Sequence, residues 1–180
     1  MTKNALLDAA EAVLSEHGTQ ALTLTAVADR AGVSKGGLLY HFPSKEALVK
    51  AMVARVIEEF DDLIASYLGG YDDGTPGAYS RAYVEATFEI LTGEARAYRR
   101  WSAITAAATD PEQAEPLNEA MRRWHGRAPG DVAGPVSDPV AATVVRLAAE
   151  GLWEVVSHAP ELYDEEQLAA LKRRLLDLLG

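Results

Sequence analysis

The sequence predicts an all-α fold of about nine helices: an N-terminal three-helix domain containing a helix-turn-helix, and a larger C-terminal helical domain. Three observations carry this. Apolar residues recur three and four places apart through every long segment, which is the spacing of one helix face. No stretch alternates apolar and polar residues as a half-buried strand would, and no internal repeat or low-complexity tract is present. Helix starts are marked repeatedly by one device: Thr75-Pro76, Asp110-Pro111 and Asp138-Pro139 each read as an N-cap followed by proline at the first helical position, where a missing N–H costs nothing.

Residues 3–17 form the first amphipathic helix, with Leu6, Ala9, Ala10, Val13 and Leu14 on one face and Gly18 ending it. His17 sits near its C-terminus and reads as a capping residue rather than a ligand. A short helix from about Thr25 to Ala31 follows, closed by Gly32, since a sharp helix end favours a residue tolerant of positive φ. Ser34 is a good N-cap for a second short helix, Lys35 to about Phe42, which Pro43 stops. Val27, Ala28 and Ala31 share a face of the first; Leu38 and Phe42 share a face of the second. These faces bury each other and turn Gly36, Gly37, Tyr40 and His41 outward. Two glycines in one helical turn cost roughly 1 kcal/mol each relative to alanine. They make sense where the backbone approaches another surface closely, such as the floor of a DNA major groove. Lys35, Tyr40, His41 and Lys45 surround them with donors suited to phosphates. Together with Thr25 and Ser34 they make up the candidate DNA-binding set.

The stretch A-G-V-S-K-G-G-L-L-Y-H-F-P-S-K-E-A-L resembles the DNA-binding signature of the TetR family of transcriptional repressors. Gly32, Val33, Ser34, Gly36, Leu38, Phe42, Lys45 and Leu48 fall in the family's register, and the resemblance covers roughly the first 50 residues. The family usually has tyrosine where this chain has Leu39; here a tyrosine stands one place later, at Tyr40. The resemblance implies a helix-turn-helix DNA-binding domain over 1–46 and an effector-binding and dimerisation domain over 47–180.

Ser44 caps a long helix to about Leu68, roughly 36 Å at 1.5 Å per residue, with Val49, Met52, Val53, Val56, Phe60, Leu63, Ile64 and Tyr67 as a continuous stripe. With Lys45 at one end and the second domain at the other, it is the natural lever between the two. Residues 69–77 are a loop. Further helices run from Thr75-Pro76 to about Leu91, from Glu94 to about Ala108, from Pro111 to His125 and from Pro139 to about His158. Arg127–Ser137 reads as a loop, and Asp164 with Gln167 three residues on resembles a capping box for a last helix to Leu179.

The charge is uneven along the chain. Its 180 residues carry a net −10, yet residues 1–50 hold five basic and five acidic side chains, so the acid lies in the remainder. An acidic body repels DNA over about a Debye length, ~10 Å at 0.1 M salt, and makes affinity depend on correct docking. There is no run of apolar residues long enough for a membrane span, no secretory leader is expected from the start M-T-K-N-A-L-L-D, and the absence of cysteine excludes disulfides and thiolate metal sites. A cytoplasmic protein with no metal, no cofactor and no membrane partner is expected. No catalytic constellation appears: His125 and His158 lack metal-ligand spacing and no glycine-rich phosphate loop is present, so an enzyme is not expected.

Two features suggest partners beyond DNA. Large amphipathic rings crowd the middle helices, and an effector cavity is expected among Tyr83, Thr87, Trp101, Thr105, Trp124 and Trp153, suited to a small apolar or aromatic molecule. Glu85 and Glu89 share a helix with Tyr83 and are expected to be solvated, with a cationic ligand as the secondary reading. The last two helices are too apolar for a monomer's surface. Val144, Leu147, Gly151, Leu152 and Val155 with Leu171, Leu175 and Leu178 are expected to pair two subunits, as the resemblance also implies. The function read from these features is a homodimeric repressor that binds a palindromic double-stranded operator and is released by a small-molecule effector. Two rivals stand beside it: a helix-turn-helix regulator controlled by a protein partner, and an all-α ligand carrier or enzyme with a non-functional reading head.

Overall fold

The computed structural model describes residues 2–93, 97–126 and 138–180. Among them are nine α-helices and no strand: α1 Lys3–His17, α2 Leu24–Ala31, α3 Lys35–His41, α4 Lys45–Leu68, α5 Ala78–Thr92, α6 Ala97–Ala107, α7 Pro111–His125, α8 Pro139–His158 and α9 Glu165–Asp177. A single 3-10 turn, Thr19–Ala21, joins α1 to the approach of α2. The expected helix start at Glu94 and the expected loop at Arg127–Ser137 lie outside the described residues.

Most predicted caps form. Asp138 accepts from the N–H groups of Val140 and Ala141, and Asp110 from those of Glu112 and Gln113. Asp164 and Gln167 bond reciprocally as a full capping box. The exception is Thr75-Pro76. Here α5 begins at Ala78, because Gly77 takes the left-handed conformation (φ 63°) and no side chain caps the helix. A Cβ on Gly77 would lie 3.4 Å from the Leu179 side chain, so both φ and packing favour glycine there.

The chain folds as two compact units. The first comprises Met1–Ile57 and Arg99–Ala120. Its core includes Leu6, Ala10, Val13, Leu22, Val27, Leu38, Phe42, Leu48, Val49, Met52 and Val53, with Trp101 and Ile104 buried on α6. Charges complete it. Arg55 of α4 donates to Asp8 at 2.6 Å and Glu11 at 2.5 Å on α1, and Arg100 of α6 grips the same Glu11 at 2.6 Å. One carboxylate thus ties three helices.

The second unit comprises Glu58–Tyr98 and Met121–Gly180. Here α5 is the central helix: eleven of its fifteen residues are buried, leaving almost no solvated face. Val145, Ala149, Leu152 and Val156 of α8, Leu168 of α9, and Phe60 and Ile64 of α4 complete this core. α4 contributes to both units, residues 45–57 to the first and 58–68 to the second.

Glu11→Ala should destabilise the protein by about 1–3 kcal/mol, since it leaves two largely covered guanidinium groups without their shared acceptor. Urea unfolding followed by circular dichroism measures this. A midpoint within error of the parent chain would show that the triad adds nothing.

Candidate nucleic-acid interface and effector site

The reading head is held from behind and bare in front. Thr23, one residue before α2, accepts from the Ala26 N–H at 3.1 Å, so the helix starts one residue earlier than its sequence suggests. Gly32 closes α2 in the left-handed region at φ 68°. Ser34 then caps α3 by accepting from Gly37 N–H at 3.1 Å. Leu38 and Phe42 are almost wholly buried; Thr25, Ser34, Lys35, Gly36, Gly37 and His41 are exposed, and Tyr40 is 87 % exposed with its ring edge-on to His41 at 5.2 Å. A Cβ at Gly36 or Gly37 would meet nothing closer than the Ser34 hydroxyl at 3.4 Å. The glycines are therefore not demanded by packing within the chain, which points to an external surface.

Charge around the head is selectively committed. Arg30 is held by both oxygens of Glu16 at 2.6 Å, and Lys50 by Glu115 at 2.5 Å. Lys3 lies 5.7 Å from the centre of the Phe42 ring. Lys35 and the half-buried Lys45 make no ion pair among the described residues, so they are the cations left for phosphates. Ser44 caps α4 through Ala47 N–H at 3.1 Å. Glu46 competes for the same helix end: hydrogen bonds from its own backbone N–H and from Ser44 hold its carboxyl below the usual range.

The residues expected around an effector divide between the units. Trp101 and Thr105 belong to the first; Tyr83, Thr87, Trp124 and Trp153 belong to the second. Both threonine hydroxyls turn back on their own helices, Thr87 to the Tyr83 carbonyl at 2.8 Å and Thr105 to that of Trp101 at 3.0 Å. Trp153 is half-buried on α8. In the second unit the rings of Phe60, Tyr83, Trp124 and His125 pack edge to face, with centroids 4.9 to 6.3 Å apart. Their polar ends are anchored. Trp124 Nε1 donates to Asp61 at 2.7 Å, and the Tyr83 hydroxyl donates to Glu150 at 2.6 Å. Burial, with Glu150 beside it, pushes the Tyr83 hydroxyl far above its ordinary range. His125 Nε2 lies 3.4 Å from the Tyr83 hydroxyl and 4.0 Å from Glu150. Burial pulls His125 below its usual value, against the pull of Glu150 and with the help of Arg146. Arg146, 3 % exposed, donates to Ser80 at 2.8 Å.

On α8, Val140, Val144, Leu147, Gly151 and Val155 form one exposed stripe, with Leu147 55 % exposed and open space beside Gly151. Leu152 differs from its sequence assignment: it is 8 % exposed and belongs to the inward stripe with Val145, Ala149 and Val156. On α9, Leu171 and Leu178 are exposed and Leu175 is half-buried.

Two family models match the chain: "Bacterial regulatory proteins, tetR family" over residues 6–52 and "Tetracyclin repressor-like, C-terminal domain" over residues 77–180. The chain belongs to the TetR family. Among curated TetR-like relatives, the transcriptional regulator BetI of Serratia proteamaculans is 27 % identical over 84 % of this chain and 75 % of its own length. BetI 2 of Chromohalobacter salexigens is 26 % identical over 97 % of this chain and 86 % of its own. The fold agrees with solved structures at lower identity. A transcriptional regulator from Rhodococcus sp. Rha1 superposes with TM-score 0.73 at 21 % identity, covering 99 % of this chain and 96 % of that one. The multidrug binding protein EbrR, complexed with malachite green, gives 0.72 at 22 %, covering 98 % and 97 %.

Sequence reasoning does not single out Glu150, Arg146 or Ser80, takes His125 only as lacking metal-ligand spacing, and puts Asp61 on the solvated side of the long helix, where the structure instead engages it with Trp124 and Arg123. The available signal was faint: Arg146 and Glu150 stand four apart in the middle of a largely apolar helix. Among the described residues no group of three His, Cys, Asp or Glu could hold a metal ion, and no helix is long and apolar enough to cross a membrane.

Two kinds of outcome follow for this TetR-family chain, the first in DNA binding. Lys45→Ala should weaken binding to all DNA about equally and reduce the salt slope by about one charge. Gly37→Leu should abolish operator binding while the helical circular dichroism stays unchanged; normal binding by that variant would remove α3 from the groove. The other kind concerns pH. Because His125 is depressed from 6.5, the unfolded chain takes up its proton first as pH falls. Stability should therefore decline from about pH 6.5 downward, and His125→Gln should flatten that first part of the stability–pH curve.

Proposed function

We propose that this chain is a ligand-responsive transcriptional repressor, a cytoplasmic homodimer that binds a palindromic operator and is released by a small apolar or aromatic effector. The observation that carries this is α3: a helix with two glycines, Tyr40 and Lys35 bare to solvent, and no internal reason for the glycines. Residues 1–46 serve as the DNA-binding domain and 47–180 as the effector-binding and dimerisation domain, with α4 as the covalent route between them. An effector moves the operator equilibrium only through a difference in affinity for two states, and 1–3 kcal/mol of coupling gives about 5–150-fold release. The multidrug binding protein EbrR, complexed with malachite green, with ethidium and with imidazole, supports an aromatic effector here by analogy. The homologues are regulators, which supports a non-enzymatic role.

The α8 stripe around Gly151 supports the dimer, with α9 beside it. A glycine with open space beside it, flanked by Leu147 and Val155, lets a second helix approach closely. Two protomers joined there would present two reading heads to two half-sites.

Duplex selection from random DNA tests the whole reading. Recovery of a two-fold symmetric motif supports it; failure to recover any motif at low salt favours a carrier or enzyme instead. Leu147→Asp should give monomers in sedimentation and reduce operator affinity by about a hundredfold or more, since one half-site supplies too few contacts. Leu147 is exposed within the chain, so this variant should stay folded. A folded Leu147→Asp dimer would place the interface elsewhere.

A further inference from the structure

We infer that Leu39 determines sequence specificity in the reading head, by packing on the C5-methyl group of a thymine in each operator half-site; this rests on the reading above that α3 enters the major groove. Among the described residues, the exposed large aliphatic side chains are Leu39 and a group that begins at Val140. That group lies on or beside α8 and α9, and most of it belongs to the stripe proposed to pair two subunits. Leu39 is elsewhere: it is 37 % exposed on α3, in the first unit.

Its placement follows from the packing of its neighbour. Successive residues of a helix point about 100° apart. Leu38 is wholly buried and fixes the inward direction, which sets Leu39 at the rim of the outward face. Lys35 and Gly36, four and three residues earlier, share that side of the helix. A Cβ on Gly36 would meet only the Ser34 hydroxyl, at 3.9 Å, so the surface beside Leu39 is low and open. A duplex that settles on the glycines therefore meets the leucine.

The chemistry of leucine then selects what it meets. Its side chain neither donates nor accepts a hydrogen bond, so it can neither hold a phosphate nor pair with a polar base edge. Pressed against either, it would displace water and put nothing in its place. Among the groups displayed in the major groove, the one apolar substituent is the thymine methyl, which apolar side chains read by contact. Covering one methyl group is worth about fourfold in affinity per half-site. Lys35 and Lys45 supply backbone contacts, which position the helix and carry no sequence information. Because 5-methylcytosine displays the same methyl group, the test separates the two bases.

The experiment uses the intact chain and the operator recovered by duplex selection, with affinity read by fluorescence anisotropy. Each thymine is replaced in turn by uracil, symmetrically in both half-sites. This removes the methyl and leaves every hydrogen-bonding group of the base in place. One position should lose about fifteenfold, from about fourfold in each half-site. Leu39→Ala should bind the thymine operator about as weakly as the parent chain binds the uracil one, and should lose nothing further on uracil substitution there. A structural role alone would lower both affinities equally and leave the thymine-to-uracil ratio unchanged. If the alanine variant binds too weakly to titrate, Leu39→Val should show a smaller ratio than the parent. Operators in which every thymine can be replaced without loss overturn the assignment and leave the repressor reading standing, as does a ratio unchanged in either variant. A 5-methylcytosine operator that binds more tightly than the thymine one overturns thymine as the target. Failure to recover any operator strikes the repressor reading, and the Leu39 assignment with it.

Discussion

A seven-residue helix that stands bare on one side has to be held entirely from its other side, and that constraint shapes the N-terminal third of this chain. α3 is too short to be stable alone, and two glycines in its first turn weaken it further. It persists because Ser34 satisfies one of its orphan N–H groups and because Leu38 and Phe42 are almost wholly buried. α1, α2 and the first half of α4 exist in large part to supply that burial. Their own caps and the Glu11 triad with Arg55 and Arg100 hold the support rigid.

The same constraint explains the charge distribution. A DNA-contacting head needs cations, but a cation already held by a carboxylate contributes little to a phosphate. The structure commits Arg30 and Lys50 internally and leaves Lys35 and Lys45 at the head's edge. A net −10 over the chain then raises the cost of every misdocked encounter, so that only a well-fitted duplex gains enough local contacts.

The second unit solves a different problem: it places polar groups inside an aromatic core. Tyr83, His125, Arg146 and Ser80 would each be costly if buried singly. Tyr83 bonds to Glu150 with His125 beside it, and Arg146 donates to Ser80, so each of these groups has a polar neighbour.

The sequence by itself determined the all-α class, the helix-turn-helix with its caps at Ser34 and Ser44, the starts of α7, α8 and α9, and the family. These are local matters, set by side chains reaching one to three residues along the chain and by apolar spacing. Only the tertiary structure decided which of two apolar stripes on α8 faces outward, since periodicity gives the stripes but not which one meets α5; Leu152 fell on the inner one for that reason. It also decided that α5 begins after Gly77, where Leu179, a hundred residues away in sequence, packs against the backbone. And it alone brought Glu150 to Tyr83 and His125, because an ion or hydrogen-bond partner sixty-seven or twenty-five positions distant leaves no periodic trace in the chain.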